Sequence, residues 1–232
     1  MEHRGGYIYK RILGVLSLML LSISTLFGCG QDPARAFYGS FVTSVDISPL
    51  VCERVDEWMD TALMREFIDS DDIITDIELE LEVSFDREGN WNQSVVQQSY
   101  EKCKNVAFYR IENLVKELLI LRINAAGEGE YSDDELNALV QETIGMSLSD
   151  YVREYIADAM PSLDELRTTY DSHGIYEVDG NVLIRDGMRE EFIAGDNSIV
   201  LTKPLISGFE RDIEYPLVLI RSDNSEEEKK EK

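Results

Sequence analysis

Basic residues are scarce in this 232-residue chain. Lys and Arg number 22 against 46 Asp and Glu, which sets the net charge at −24 and the pI near 4.3. Phosphate backbones are bound through basic footprints, so the deficit excludes nucleic acid as a partner. It also argues against the globule lying flat on an anionic lipid surface. Histidine is scarcer still. There are two, and only His173 lies beyond the first thirty residues. A Ser-His-Asp triad would have to use it, yet no Gly-x-Ser-x-Gly elbow is present. In Asp171-Ser172-His173-Gly174 it reads as a solvated residue in a polar turn ahead of a strand. Cysteine is limited to Cys29, Cys52 and Cys103. No Cys-x-x-Cys pair exists for redox exchange, and no phosphate loop, dinucleotide fingerprint or zinc spacing occurs. The acidic clusters Asp69/Asp71/Asp72, Asp133/Asp134 and Asp164/Glu165 fail as calcium loops. From Asp69 the fifth and sixth positions are Ile73 and Ile74, where a ligand and a glycine are needed. The other two clusters sit where helices start, and carboxylates there favour the helix dipole. No catalytic, cofactor-binding or metal-ligating residue is therefore assigned, and the chain reads as a non-enzyme.

What is present begins with an address. Arg4, Lys10 and Arg11 precede an uncharged apolar run of 16 residues, 12–27. A spanning helix needs roughly 20 residues, so the run suits a signal-peptide core better than a membrane span. It ends in Leu26-Phe27-Gly28-Cys29, which resembles the lipobox of bacterial lipoproteins: Leu three positions before the cysteine and a small residue just before it. Phe27 departs from that pattern, where a smaller residue is usual. The resemblance implies that residues 1–28 are removed and that the Cys29 sulfur carries a diacylglyceryl group. Two acyl chains anchor stably where one is marginal. The expectation is a cell-membrane lipoprotein, tethered through Cys29 on the extracytoplasmic face. Removing residues 1–28 takes away Arg4, Lys10, Arg11 and Glu2, leaving 19 basic and 45 acidic residues, or −26 over 204 residues. So acidic a globule is repelled by anionic headgroups, and residues 29–36, with Gly30 and Pro33, read as a linker.

Beyond the linker the periodicity alternates between two and 3.6. Residues 39–47 read as a strand from their β-branched and aromatic content. Ser48 offers an N-cap and Pro49 the favoured first position of a helix over about 49–68. Asp69-Ser70-Asp71-Asp72 is expected to end it. Ile77, Leu79, Leu81, Val83 and Phe85 then alternate with Glu78, Glu80, Glu82, Ser84 and Asp86, the signature of a strand with one face in a core. A turn over 86–90 leads to a partner strand at 91–95. From 99 to about 125 the period is helical, with Val106, Tyr109, Leu114, Leu118 and Leu121 on one face. Ser132 with Glu135 and Ser162 with Glu165 match capping boxes, and Ser147 with Asp150 is a weaker version. They open helices at about 133–145, 148–159 and 163–170. Asp179-Gly180, Asp186-Gly187 and Gly195-Asp196-Asn197 then punctuate a meander of short strands from 174 to 202. Residues 215–221 form a last strand, apolar on both faces and so central or closing. The tail, 222–232, is charged and expected to be disordered.

The fold class is α+β, an antiparallel meander of about eight strands with an inserted helical block. Eight strands can close into a small barrel that is filled or holds one ligand. Gly39-Ser40-Phe41 and the run Gly174-Ile175-Tyr176-Glu177-Val178-Asp179-Gly180-Asn181 are similar to lipocalin-like domains of bacterial surface lipoproteins. In those, a Gly-x-aromatic strand starts the barrel and hairpins complete it. The chain then reads as one domain over 37–221, with a helical insert at about 99–170 that departs from a plain lipocalin. An open sheet packed on the helices is the alternative.

Cys52 and Cys103 could pair in an oxidising compartment, or stay as two buried thiols. Trp58, Trp91, Tyr109, Tyr151 and Tyr155 could line a cavity, although aromatics at such spacings usually build core. Three functions remain open: a non-enzymatic module binding an unknown small molecule or protein, an extracytoplasmic chaperone or foldase helper suggested by the short capped helices, and a hydrolase with a carboxylate site. A helper would suppress aggregation of an unfolded client, and a hydrolase would show two converging acids in a cleft.

Overall fold

A computed structural model describes residues 33–58, 69–127, 131–204 and 215–222. Eight strands close a barrel in the order β1 (Gly39–Asp46), β2 (Glu78–Phe85), β3 (Asn90–Val95), β4 (Ser172–Asp179), β5 (Val182–Arg185), β6 (Met188–Ala194), β7 (Ser198–Pro204) and β8 (Leu217–Arg221). The open sheet is thereby set aside. β8 pairs antiparallel with both β7 and β1, with Val42 facing Ile220. It closes the cylinder, as its sequence suggested, but for a different reason. Its outer face is not covered, since Ile220 is 58% exposed. Closure is demanded by backbone pairing, because a closed barrel leaves no strand edge to pair with another chain.

The described residues divide into two compact units, one made of 33–43, 83–92, 173–204 and 215–222, the other of 44–58, 69–82, 93–127 and 131–172. In the first, alternation places Phe41, Val83, Phe85, Trp91, Leu183, Phe192, Ile199, Leu201, Leu217 and Leu219 in one core. Phe37 joins it from the segment between the 3-10 turn Pro33–Ala36 and β1. Its ring stands edge-on to Phe85 at 5.1 Å and to Phe192 at 4.8 Å, the geometry that aligns ring edge with ring face. Arg221 fixes that segment by donating to the carbonyls of Tyr38 and Ala36 at 2.7 and 2.9 Å. Its guanidinium also lies 4.7 Å from the centre of the Phe41 ring. Gly39 is required here. Its φ is +115°, and a Cβ would come within 3.2 Å of Arg221 Nη1. The hairpins follow their turn chemistry. Asp86 accepts from the backbone and side-chain N–H groups of Asn90, both at 2.7 Å. Asp186 and Gly187 take φ of +48° and +84°, the left-handed pair that a two-residue hairpin needs.

The second unit holds α1 (Ser48–Trp58), α2 (Ser70–Ile73), α3 (Gln97–Ala126), α4 (Asp133–Ile144), α5 (Leu148–Ala159) and α6 (Leu163–Tyr170). Both capping boxes form: Ser132 and Ser162 accept from the N–H groups of Glu135 and Glu165, whose carboxylates accept in return. Ser147 accepts from Asp150 N–H at 3.1 Å. Three expectations need correction. Ser48 is the first residue of α1 rather than its N-cap, and its hydroxyl accepts from Ile77 N–H at 3.0 Å. Where only an ending was expected, Ser70–Ile73 form a helical turn of their own, opened by Asp69, which accepts from Asp71 N–H; the end of the expected helix, 59–68, lies outside the described residues. The buried stripe of α3 is Cys103, Ala107, Ile111, Leu114 and Leu118, while Val106 is 36% and Tyr109 64% exposed. The stripe is thus turned toward small residues, which allow close approach, and the tyrosine is left in solvent. Among the described residues no helix is long and apolar enough to cross a membrane.

Candidate functional site

Within the barrel unit two charged side chains point inward. Arg185 ends β5 and Glu190 lies in β6, on either side of the Asp186–Gly187 turn. The register sets Arg185 beside Tyr176 on one strand and Met188 on the other, and Glu190 beside Leu183. Both side chains are fully buried. Arg185 Nε and Nη2 donate to the two Glu190 oxygens, each at 2.7 Å. This fork geometry is the strongest form of such a pair. Tyr215, just ahead of β8, donates its hydroxyl to Glu190 Oε1 at 2.7 Å. The guanidinium lies 4.9 Å from the ring centre of Trp91, a cation–π distance.

Desolvating two charges is costly and is offset only when geometry and extra hydrogen bonds are good. Here the carboxylate has three donors and the cation an aromatic face. One atom is left out. Among the described residues, Arg185 Nη1 has no hydrogen-bond partner. A buried donor left in that state costs about 1–3 kcal/mol. The constellation can therefore donate one further hydrogen bond from a fixed point. The hydrolase reading asks for two converging acids, whereas Glu190 is the one buried carboxylate among the described residues.

The residues singled out in the sequence lie elsewhere. Cys29 falls outside the described residues. Cys52 and Cys103 are buried and not joined. Each thiol is committed to a different carbonyl, Cys52 to Ile74 at 3.6 Å and Cys103 to Glu78 at 3.2 Å. Burial, aided by the Asp71 carboxylate, pushes the Cys52 thiol up to about 12, and burial also raises Cys103. Neither is poised as a thiolate. His173 is exposed and sits within β4, not in a turn before it. Of the acidic clusters, Asp69 caps α2, Asp133 and Asp134 lie in the first turn of α4, and Asp164 and Glu165 lie in that of α6; no group of three metal-ligating side chains occurs among the described residues. Glu165 is engaged otherwise. The Ser162 hydroxyl and the Arg54 guanidinium, the latter at 2.7 Å, hold its carboxyl down to about 2. Of the aromatics, Trp91 is core, Tyr151 packs against the helical core and Tyr109 is exposed. The side chains of Trp58 and Tyr155 lie outside the described set.

The Arg185–Glu190 pair was not foreseen. Parity could have found it: Arg185 shares the phase of Leu183, and Glu190 that of Met188 and Phe192, so both fall on the inward side of strands with period two. No protein-family model, curated protein or solved structure matches this chain.

Proposed function

We propose that this chain is a lipid-anchored, extracytoplasmic lipoprotein whose barrel is a non-enzymatic binding module. The anchor rests on the lipobox-like Leu26-Phe27-Gly28-Cys29 after a charged and then apolar leader. The binding role rests on one observation, a closed eight-stranded barrel whose interior carries a charge-balanced polar cluster with a donor to spare. Barrels of this size have room for little beyond their own side chains or one small ligand, so a small molecule is the partner that the interior suits. The protein is stood off the membrane by its own negative charge and meets that ligand in the extracytoplasmic space. Two measurements test the reading. Cells fed labelled palmitate incorporate it into the wild-type protein and not into Cys29→Ala, and an unlabelled wild-type protein refutes the anchor. Native mass spectrometry of the protein released from membranes shows a bound small molecule at one copy per chain; a bare polypeptide mass in repeated preparations refutes the binding role.

A further inference from the structure

We infer that Arg185 Nη1 is the recognition point for a ligand with an uncharged oxygen acceptor on a small apolar body. This rests on the reading of the barrel as a binding module and names the chemistry of what it binds. The guanidinium is held in place from two sides: Glu190 takes Nε and Nη2, and Trp91 lies against its plane. Its remaining nitrogen is therefore aimed by the fold rather than free to turn. Full burial denies it bulk water, and a buried donor is stable only with an acceptor.

Charge selects the acceptor. Glu190 already matches the charge of Arg185, and the Tyr215 hydroxyl occupies one of its oxygens. A ligand carboxylate or phosphate would add a second negative charge with no cation left to meet it, in surroundings where an unpaired charge is very costly. A ketone, ester, ether or alcohol oxygen accepts the same N–H without that cost. The neighbours fixed by register and packing, Met188, Tyr176 and Trp91, suit a hydrocarbon remainder. Arg185 is the last residue of β5, and Glu190 faces Pro204 at the end of β7.

The test uses the full chain in dodecyl maltoside with Trp58→Phe, which leaves Trp91, beside the guanidinium, as the one tryptophan. Emission is followed while hexan-2-one, hexanoate or hexane is added. The same titrations on Arg185→Met/Glu190→Leu, a charge-free interior of similar volume, report partition into detergent. Saturable binding of hexan-2-one at least about tenfold tighter than hexane and hexanoate is expected, with the preference lost in the double variant. If hexanoate binds as tightly as the ketone, the uncharged acceptor is wrong. Equal binding of ketone and hexane removes Arg185 from recognition while leaving the barrel a binding module. No response to any of the three overturns the inference, and the binding role then stands or falls on the co-purified ligand alone.

Discussion

The buried pair makes a quantitative prediction. Replacing Arg185 by Met leaves Glu190 without its cation, fully enclosed and with the Tyr215 hydroxyl still donating to it. Removing one partner of such a pair costs about 3–5 kcal/mol, and Glu190→Leu alone should cost as much, because it strands the guanidinium. Making both changes removes both charges, and apolar replacements of similar volume then leave stability within about 2 kcal/mol of the wild type. In a chain of this length each kcal/mol moves the melting temperature by about 2–4 °C. Each single variant should therefore melt about 6–20 °C below the parent, and the double variant much closer to it. Trp91 reports the transition directly: its ring is 4.9 Å from the guanidinium, so a Trp58→Phe background followed by emission during heating is the assay. The coupling energy from the four proteins should be large and of the sign that rescues. Single variants that melt with the parent, or a double variant whose loss is the sum of the two, would show that the charges are not desolvated together.

Two further predictions concern the helical unit. Glu165 is depressed to about 2 by the Ser162 hydroxyl and Arg54. A carboxyl lowered on folding adds stability above its unfolded value near 4.5, and that contribution disappears as pH falls through about 2. Carbon NMR should thus find the Glu165 midpoint well below those of exposed glutamates, and Ser162→Ala should raise it; a midpoint in the ordinary range contradicts the capping box. In Cys29→Ala protein, Cys52 and Cys103 should be silent to a thiol reagent at pH 8 while folded, because both are buried and neither is a thiolate. Two thiols should titrate in denaturant without reductant, and finding none would reveal a bridge.

Local structure was legible wherever the rule involves neighbours in sequence. The alternation from Leu79 to Phe85 depends on the strand's own period, and it marked those side chains as buried, as observed. The Ser132 and Ser162 caps depend on three residues of spacing, and the hairpin turns on one dipeptide each. The stripe of α3 was not legible in the same way. Helical period says that a face exists, but several residues compete for it, and what packs against it chose Ala107 over Tyr109.

The amino-acid sequence by itself determined the element types, the turns, the acidity and the lipobox-like leader, because propensity, spacing and charge are properties of short segments. Tertiary structure alone decided that the meander closes, that Arg221 holds carbonyls 183 and 185 positions away, and that Arg185 and Glu190 neutralise each other out of water. Burial is set by what the rest of the chain brings to a face, and a charged residue in a strand carries no local mark of whether that face is solvent or core.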